Sequence, residues 1–229
     1  MAIDSQLLQQ ASNPNTPPEQ LRELATCEDV AIRQLVVANP NTPTEVLWRL
    51  GKLFPAQLLE NPLLPLLFLE NPNLIVQIPD ETLVRLFELE TVPDCLYQRL
   101  TQAKLNVRRA IAKNLNTPVP WLEHLAQDPD LDVRWAIADN PNTPVPWLEY
   151  LAQDPDAGVR GAIACNPNTP VHCLEKLAQD PEPGVRCAIA LNPNTPLDLL
   201  QSLGSDRDPD ICHIAQVELN KRLLELAQG

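Results

Sequence analysis

The sequence is poor in basic residues. Its 229 residues include 17 lysines and arginines against 30 aspartates and glutamates, which gives a formal net charge of −13 at pH 7. Proteins that bind nucleic acid hold the phosphates with clustered lysine and arginine side chains, and anionic membrane surfaces attract basic segments in the same way. The composition therefore argues against a nucleic-acid partner and against a membrane partner.

The sequence also lacks a long uninterrupted apolar run. Its most apolar stretch, residues 53–79, is interrupted by Glu60, Glu70 and several prolines. It does not offer the roughly 20 apolar residues that a membrane span requires. The first residues contain neither the basic nor the apolar region of a secretory signal peptide. We therefore expect a soluble cytoplasmic protein.

Several chemical signatures are missing as well. No Cys-x-x-Cys pair occurs among the six cysteines, and their spacing matches no common zinc or iron–sulfur pattern. No Ser/His/Asp order, glycine-rich phosphate loop or paired carboxylates stand out. We expect no metal site, no cofactor and no enzymatic activity. One alternative stays open, since a metal ion could be held by the nearby residues Cys165, Cys173, Cys187 and His172.

The sequence does contain a repeated motif. Asn-Pro-Asn-Thr-Pro occupies residues 13–17, 39–43, 140–144, 166–170 and 192–196, residues 114–118 are a near copy, and adjacent copies are 26 residues apart. A repeat of this length is typical of a stacked array in which each unit buries its apolar face against its neighbours. The 25 prolines fit this interpretation, because they stand at fixed positions of the repeat.

Each repeat is predicted to form two short helices. Thr117 is placed as the N-cap of the first helix with Pro118 at its first position, and Asp128 is placed as the N-cap of the second. Thr16 and Thr42 each precede a glutamate by three residues, which predicts capping boxes. Neither helix is long enough to be stable alone. The fold prediction is an all-α solenoid without β-sheet.

When the repeats are laid on one another, an arginine recurs at one position. The structural interpretation is that each arginine pairs with an aspartate of its own or the neighbouring repeat, because partly buried arginine–carboxylate pairs are geometrically specific. A phosphate-binding stripe is the weaker alternative, since acidic residues outnumber basic ones. The residues predicted to form this structural set are Arg33, Arg108, Arg134, Arg160, Arg186, Asp128, Asp154 and Asp180.

The position after that arginine carries very different side chains, among them Arg109, Trp135 and Cys187. A position that accepts nearly any chemistry is expected to face solvent or a partner. Tryptophan and arginine are also common anchors of protein interfaces. These three residues are therefore candidate partner-binding residues.

The phrase Asp-Pro-Asp-x-x-Val-Arg-x-Ala-Ile-Ala-x-Asn-Pro-Asn-Thr-Pro, present in residues 154–170, resembles the leucine-rich repeat variant family, a HEAT-like group of bacterial α-solenoids. The resemblance covers about residues 13–43 and 91–215. It implies a right-handed superhelix of about eight two-helix repeats, in which one helix of each pair is short or 3₁₀-like. Some members hold a 4Fe–4S cluster on N-terminal cysteines, but only Cys27 lies in the first 94 residues here, so we expect no cluster.

We expect a single repeat domain over residues 1–229. Its parts are an N-terminal cap with the first repeats (1–43), divergent apolar repeats (44–90), regular repeats (91–207) and a C-terminal capping helix (208–229). In the divergent part, Asn-Pro pairs at residues 61–62 and 71–72 keep the corner signal, and residues 63–69 and 74–76 are strongly apolar. These segments form either a thick core or an exposed groove for an apolar segment of a partner. The groove would use Leu66 and Phe68.

These observations favour a non-enzymatic scaffold that binds a protein or peptide along one face of the solenoid. The alternative is a HEAT-like lyase or chaperone that handles a pigment or cofactor on a partner protein. That alternative is implied only by the resemblance, since some HEAT-like bacterial solenoids are lyases that act on bound pigments. Nothing in the residues specifies a pigment site.

Overall fold

The computed structural model describes residues 5–71, 74, 77–97 and 103–228. Within these ranges the chain is helical and contains no β-strand, which confirms the all-α prediction. No helix in the same ranges is both long and apolar enough to cross a bilayer. The helices are α1 (Ser5–Ser12), α2 (Pro18–Leu24), α3 (Val30–Ala38), α4 (Thr44–Gly51), α5 (Pro55–Glu60), α6 (Leu63–Glu70), α7 (Asp80–Leu86), α8 (Asp94–Tyr97), α9 (Leu105–Lys113), α10 (Val119–Leu125), α11 (Leu131–Asp139), α12 (Val145–Leu151), α13 (Ala157–Cys165), α14 (Val171–Leu177), α15 (Pro183–Leu191), α16 (Leu197–Leu203) and α17 (Pro209–Gln228).

The helices are grouped into two compact units, residues 1–111 and residues 112–229. In the N-terminal unit α1 packs on α3, α3 on α5 and α5 on α7. In the C-terminal unit α11, α13, α15 and α17 pack on one another in that order, and the short helices α12, α14 and α16 each contact the long helix on either side. Pro72 and Asn73 belong to a predicted corner, and Ile75 and Val76 to a predicted apolar segment of the divergent part. These four residues lie outside the described residues.

Each repeat of the C-terminal unit buries the same apolar positions. In one repeat these are Leu148 and Leu151 of α12 and Val159 and Ile163 of α13, all of them fully buried. Helices of seven and nine residues are not stable alone, so burial of these side chains, at roughly 1.5–3 kcal/mol each, maintains the helices. Both helices of this repeat are α-helices, and the first is the short one.

The corner before each short helix differs from the predicted one. Pro118 is the N-cap of α10, in an extended conformation, and no side chain caps the helix. The prediction of Thr117 as N-cap is therefore wrong by one residue. The hydroxyl of the threonine one repeat later, Thr143, points back and donates to the carbonyl oxygen of Ile137 at 2.6 Å. This threonine therefore caps the C-terminal end of the preceding helix and is not the N-cap of the next helix.

The predicted capping boxes of the first two repeats are wrong for the same reason. Proline is the N-cap of α2 and of α4, and neither helix has a side-chain cap. Thr16 donates its hydroxyl to the carbonyl oxygen of Gln10 at 2.6 Å, and Thr42 donates to that of Val36 at 2.5 Å. Both threonines are buried, and a buried hydroxyl needs a partner.

The cap of the long helix also lies later than predicted. The N-cap of α11 is Asp130, whose carboxylate accepts a hydrogen bond from the backbone N–H of Asp132 at 2.9 Å. Asp128, the predicted cap, instead accepts from the backbone N–H of Asp130 at 2.9 Å. The two aspartates of Asp-Pro-Asp therefore form two consecutive turns, and only the second starts the helix.

A buried asparagine after each long helix joins consecutive repeats. The side-chain amide of Asn166 donates to the carbonyl oxygens of Ala138 at 2.8 Å and Asn140 at 3.1 Å, and its oxygen accepts from the backbone N–H of Asn168 at 2.9 Å. Both amide hydrogens and the amide oxygen thus have partners. The asparagines that make these inter-repeat bonds, called the asparagine ladder below, are Asn39, Asn61, Asn140, Asn166 and Asn192.

The asparagine ladder continues into the divergent region. Asn61 donates to the carbonyl oxygens of Val37 at 2.6 Å and Asn39 at 3.0 Å. It lies 22 residues after Asn39, whereas regular members of the ladder are 26 residues apart. The divergent repeat therefore keeps the inter-repeat corner although it is shorter, and its long-helix equivalent, α5, has only six residues.

Three arginines of the C-terminal unit join a long helix to the following turn. Nε and Nη2 of Arg160 donate to the carboxylate of Asp180 at 2.7 and 3.0 Å, and Nη1 donates to two backbone carbonyl oxygens at 2.8 and 3.1 Å. The other two arginines make equivalent contacts. The pairs, called the arginine ladder below, are Arg134–Asp154, Arg160–Asp180 and Arg186–Asp206.

The arginine ladder predicts a loss of stability in acid. The hydrogen bonds from Arg186 hold the pKa of the Asp206 carboxyl below its usual range. The unfolded chain has the ordinary pKa of about 4, so this carboxylate contributes stability above roughly pH 4 that is lost as the pH falls through the lower folded-state pKa. We expect urea titrations to show a falling free energy of unfolding below about pH 4. The same acid dependence in an Arg186→Met variant would contradict this explanation.

The last helix, α17, takes the place of a further repeat. Arg222 donates to the carbonyl oxygens of Asn192 at 2.6 Å and Thr195 at 2.7 Å, and its Nε donates to Glu218 at 3.1 Å. In earlier repeats the next member of the asparagine ladder donates to the carbonyl oxygen that corresponds to that of Asn192. Arg222 therefore satisfies the exposed end of the ladder.

Candidate functional site

The long helices of the C-terminal unit carry two rows of equivalent side chains that lie away from the core. Each helix buries a β-branched residue toward the core, and the residues two and six positions later lie away from that core. Residues four apart on a helix share one face, so these positions form two parallel rows across the stacked helices. They are called the long-helix face below. The first row is Trp135, Gly161, Cys187 and His213, and the second is Asp139, Cys165, Leu191 and Val217.

The first row contains a gap beside an exposed tryptophan. A Cβ atom added at Gly161 would meet no heavy atom within 4 Å. The equivalent positions on the helices before and after carry Trp135, whose residue surface is 39% exposed, and Cys187, which is half-buried. The missing side chain therefore leaves space on the face between a large apolar ring and a thiol. An open position next to an exposed indole is suited to receive an apolar side chain of a partner.

The second row is apolar toward α17 and acidic at α11. Leu191 is 58% exposed and Val217 is 53% exposed, although both residues have large apolar side chains. Asp139, at the other end of the row, is also exposed. Contiguous exposed apolar surface usually marks an interaction site. The row therefore presents apolar contact area and one negative charge to a partner.

The Cys165 thiol on this face is not activated. Burial raises the pKa of the Cys165 thiol, and the negative charges of Asp139 and of the Cys187 thiolate form raise it further. Outside the face, burial likewise raises the pKa of the Cys173 thiol on the short helix α14. Both thiols are therefore protonated at neutral pH, and a protonated thiol is a poor nucleophile and a poor metal ligand.

The structure does not support the metal alternative left open by the sequence. In the described part of the chain no group of three or more histidine, cysteine, aspartate or glutamate side chains lies close enough to hold a metal ion. Cys165 and Cys187 lie close enough to interact electrostatically, but Cys165, Cys173, Cys187 and His172 do not form one group. Nε2 of His172 lies instead 2.9 Å from a carboxylate oxygen of Glu149, on the exterior of α12 and α14.

The divergent apolar segment divides between core and surface. In α6, Leu64 and Phe68 are buried, whereas Leu66 is 55% exposed and Leu69 is 79% exposed. Phe68 was a candidate partner-binding residue, and the structure corrects this because its ring packs into the core of the N-terminal unit. Leu66 lies on the surface of the same helix, one residue past Pro65.

The remaining predicted residues are in different parts of the chain. Trp135 and Cys187 lie at equivalent positions of the long-helix face. Arg109 is half-buried on α9, within the N-terminal unit. Its neighbour Arg108 donates to the carbonyl oxygen of Ala103 at 2.8 Å. Arg33, on α3 of the N-terminal unit, has a different environment that is described below.

The repeat pattern of the sequence places Gly161 at the same outward-facing position as Trp135 and Cys187. It does not identify Cys165, Leu191 and Val217 as members of the same surface. These three residues lie one helical turn after that position, so the helical period extends the surface to them.

Comparison with known proteins agrees with the resemblance seen in the sequence. Residues 160–218 match the family described as Leucine Rich Repeat Variant domain. A solved structure described as a leucine-rich repeat variant with a novel repetitive structural motif is similar, with a TM-score of 0.53 and 22% identity over 88% of this chain and 71% of that chain. The comparison with curated proteins finds no match. The likeness to the solved structure shows the fold.

Proposed function

We propose that this chain, which has the leucine-rich repeat variant fold and a leucine-rich repeat variant domain in residues 160–218, is a non-enzymatic scaffold that binds a protein or peptide on the long-helix face. The observation that carries the proposal is the gap at Gly161 beside the exposed indole of Trp135. Stacked repeats provide extended surfaces of this kind for binding.

The chemistry of the face supports a polypeptide partner. Binding sites for small molecules are usually concave and enclose most of the ligand, whereas the long-helix face is an open surface that crosses four helices. Its exposed Leu191, Val217 and Trp135 offer apolar contact area. Asp139 and a net charge of −13 favour a partner with basic residues beside its apolar ones.

Two features support a binding role without catalysis. The thiols of Cys165 and Cys173, which would be the first candidates for a nucleophile, have raised pKa values. All six cysteines are free, which fits a reducing compartment such as the cytoplasm. We place the scaffold there.

The proposal is tested by two variants that change the face in opposite ways. Trp135→Ala removes the anchor, and Gly161→Leu fills the gap. We expect both to lose the protein that the wild type captures from native cell extract, as identified by mass spectrometry. Gly161→Leu is expected to raise the free energy of unfolding by about 0.5–1 kcal/mol, because leucine is a better helix former than glycine.

The matched control is Tyr150→Ala. Tyr150 is 53% exposed but lies on the short helix α12, where it makes an edge-to-face contact with Trp147 at 5.5 Å. Capture is expected to persist in this variant. A partner that is retained by both face variants and lost with Tyr150→Ala would show that the short helices, and not the long-helix face, carry the function.

A further inference from the structure

Arg33 differs from the paired arginines of the arginine ladder. It lies at the equivalent position of α3 and is half-buried. Its Nε is buried and has no hydrogen-bond partner, and its side chain forms no hydrogen bond or ion pair with another described residue. In the arginine ladder, by contrast, Nε of Arg134, Arg160 and Arg186 donates to a carboxylate at 2.7–2.8 Å.

The missing partner is explained by the next repeat. Each carboxylate of the arginine ladder lies 20 residues after its arginine. The residue 20 positions after Arg33 is Leu53, which is 54% exposed. In the divergent repeat a leucine thus stands at the position of the aspartate. The guanidinium carbon of Arg33 lies instead 5.7 Å from the ring centroid of Phe54.

A contact with an aromatic ring does not replace a carboxylate. The ring attracts the cation through its face but accepts no in-plane hydrogen bond from Nε, and a buried donor without a partner is costly. The planar guanidinium donates in a fixed fork that matches a carboxylate. Arg33 therefore keeps the cation of the arginine ladder, while no described residue supplies a carboxylate to its Nε.

We propose that Arg33 is a binding site for a carboxylate, supplied by an aspartate side chain of a partner polypeptide. The paired arginines of the same chain provide the template for the contact, in which Nε and Nη2 of Arg160 hold both oxygens of Asp180. In that template the aspartate is followed by proline, and one of its oxygens also accepts from the backbone N–H two residues later. An aspartate followed by proline in the partner can form the same turn and present its carboxylate in the same way. The exposed side chain of Leu53 lies next to the site and can contact apolar residues of the partner.

The carboxylate site goes beyond the proposed function. It lies in the N-terminal unit, and it uses none of the residues of the long-helix face. The two proposals therefore fail separately: Trp135→Ala leaves the carboxylate site intact, and changes at Arg33 leave the long-helix face intact.

The experiment follows the Nε–H resonance of Arg33 by NMR in the full-length protein. The probe is the peptide acetyl-Asp-Pro-Asn-Leu amide, and its control is acetyl-Asn-Pro-Asn-Leu amide, which differs only in the carboxylate. The resonance is assigned by its loss in Arg33→Gln. We expect a saturable shift with the aspartate peptide at a Kd in the millimolar range, and about 10- to 100-fold weaker binding of the asparagine peptide. Trp135→Ala is expected to bind the probe as the wild type does.

A second variant supplies the missing carboxylate from within the chain. Leu53→Asp is expected to move the Arg33 Nε–H resonance toward its peptide-bound position without any peptide and to abolish binding of the probe. The proposal is overturned if the resonance in the wild type does not move at roughly 10 mM aspartate peptide, well above the Kd expected of a single good contact. It is equally overturned if the two peptides shift the resonance alike.

Discussion

Replacing Asn166 with aspartate is expected to destabilise the protein more than any other change of similar size. The asparagine and aspartate side chains have nearly the same shape. The amide of Asn166, however, donates to two buried carbonyl oxygens, those of Ala138 and Asn140. A carboxylate at this position would face both oxygens without a donor. We expect the free energy of unfolding to fall by about 3–5 kcal/mol, since breaking buried charge-bearing or polar contacts costs 1–3 kcal/mol for each unsatisfied group. Urea denaturation at pH 7 measures the change.

The sequence offers a matched control two residues away. Asn168 undergoes the same chemical change in Asn168→Asp, but its side chain is exposed and makes one hydrogen bond, to the carbonyl oxygen of Pro141 at 2.6 Å. A loss of less than about 1 kcal/mol is expected there. Equal losses in the two variants would mean that the asparagine ladder does not hold consecutive repeats together.

The second large effect is expected from Arg186→Met. Arg186 is the most buried member of the arginine ladder, with 3% of its side chain exposed, and its partner Asp206 is 8% exposed. Removing the guanidinium leaves the Asp206 carboxylate in the protein interior with only a backbone N–H donor at 2.8 Å. We expect a loss of about 3–5 kcal/mol at pH 7, the range for a buried pair that loses one partner.

The control for this variant is an ion pair on the surface. Arg22 pairs with Glu19 and Glu45 at 3.1 and 2.8 Å, and all three side chains are largely exposed. Exposed ion pairs contribute little to stability because solvent screens them, so Arg22→Met is expected to unfold at nearly the wild-type urea concentration. If Arg186→Met did the same, the arginine ladder would have no role in stability.

The fold could be predicted from the sequence because the Asn-Pro-Asn-Thr-Pro segment between helices recurs with little change. The 26-residue spacing and the apolar residues at helical intervals were enough to predict paired helices. The details of the corner were not accessible from local rules. Thr143 stands where a helix cap is usual, but its hydroxyl is buried and donates to the helix that has just ended. Only the packing of one repeat on the next decides between these two roles.

The site was accessible only in part. Trp135 and Cys187 were found because the repeats could be compared with one another inside a single chain. In α6, leucine or phenylalanine occupies six of the eight positions from Leu63 to Glu70. Such a pattern carries no helical period, so it could not show that Phe68 is buried and Leu66 is exposed. The unpaired state of Arg33 follows from Leu53, which stands where the aspartate of the arginine ladder would lie, but the 20-residue spacing between arginine and aspartate became apparent only from the contacts in the structure.

The most direct test of the scaffold proposal is photo-crosslinking from inside the gap. Benzoylphenylalanine is introduced at position 161, where an added side chain meets open space, and separately at position 150 on the short helix α12. A small fraction of bound partner is sufficient for a covalent product, so the test tolerates the weaker binding that a filled gap would cause. The proposal predicts a crosslinked protein at position 161 and none at position 150. Crosslinking at position 150 alone would place the partner on the opposite layer of helices and contradict the proposal.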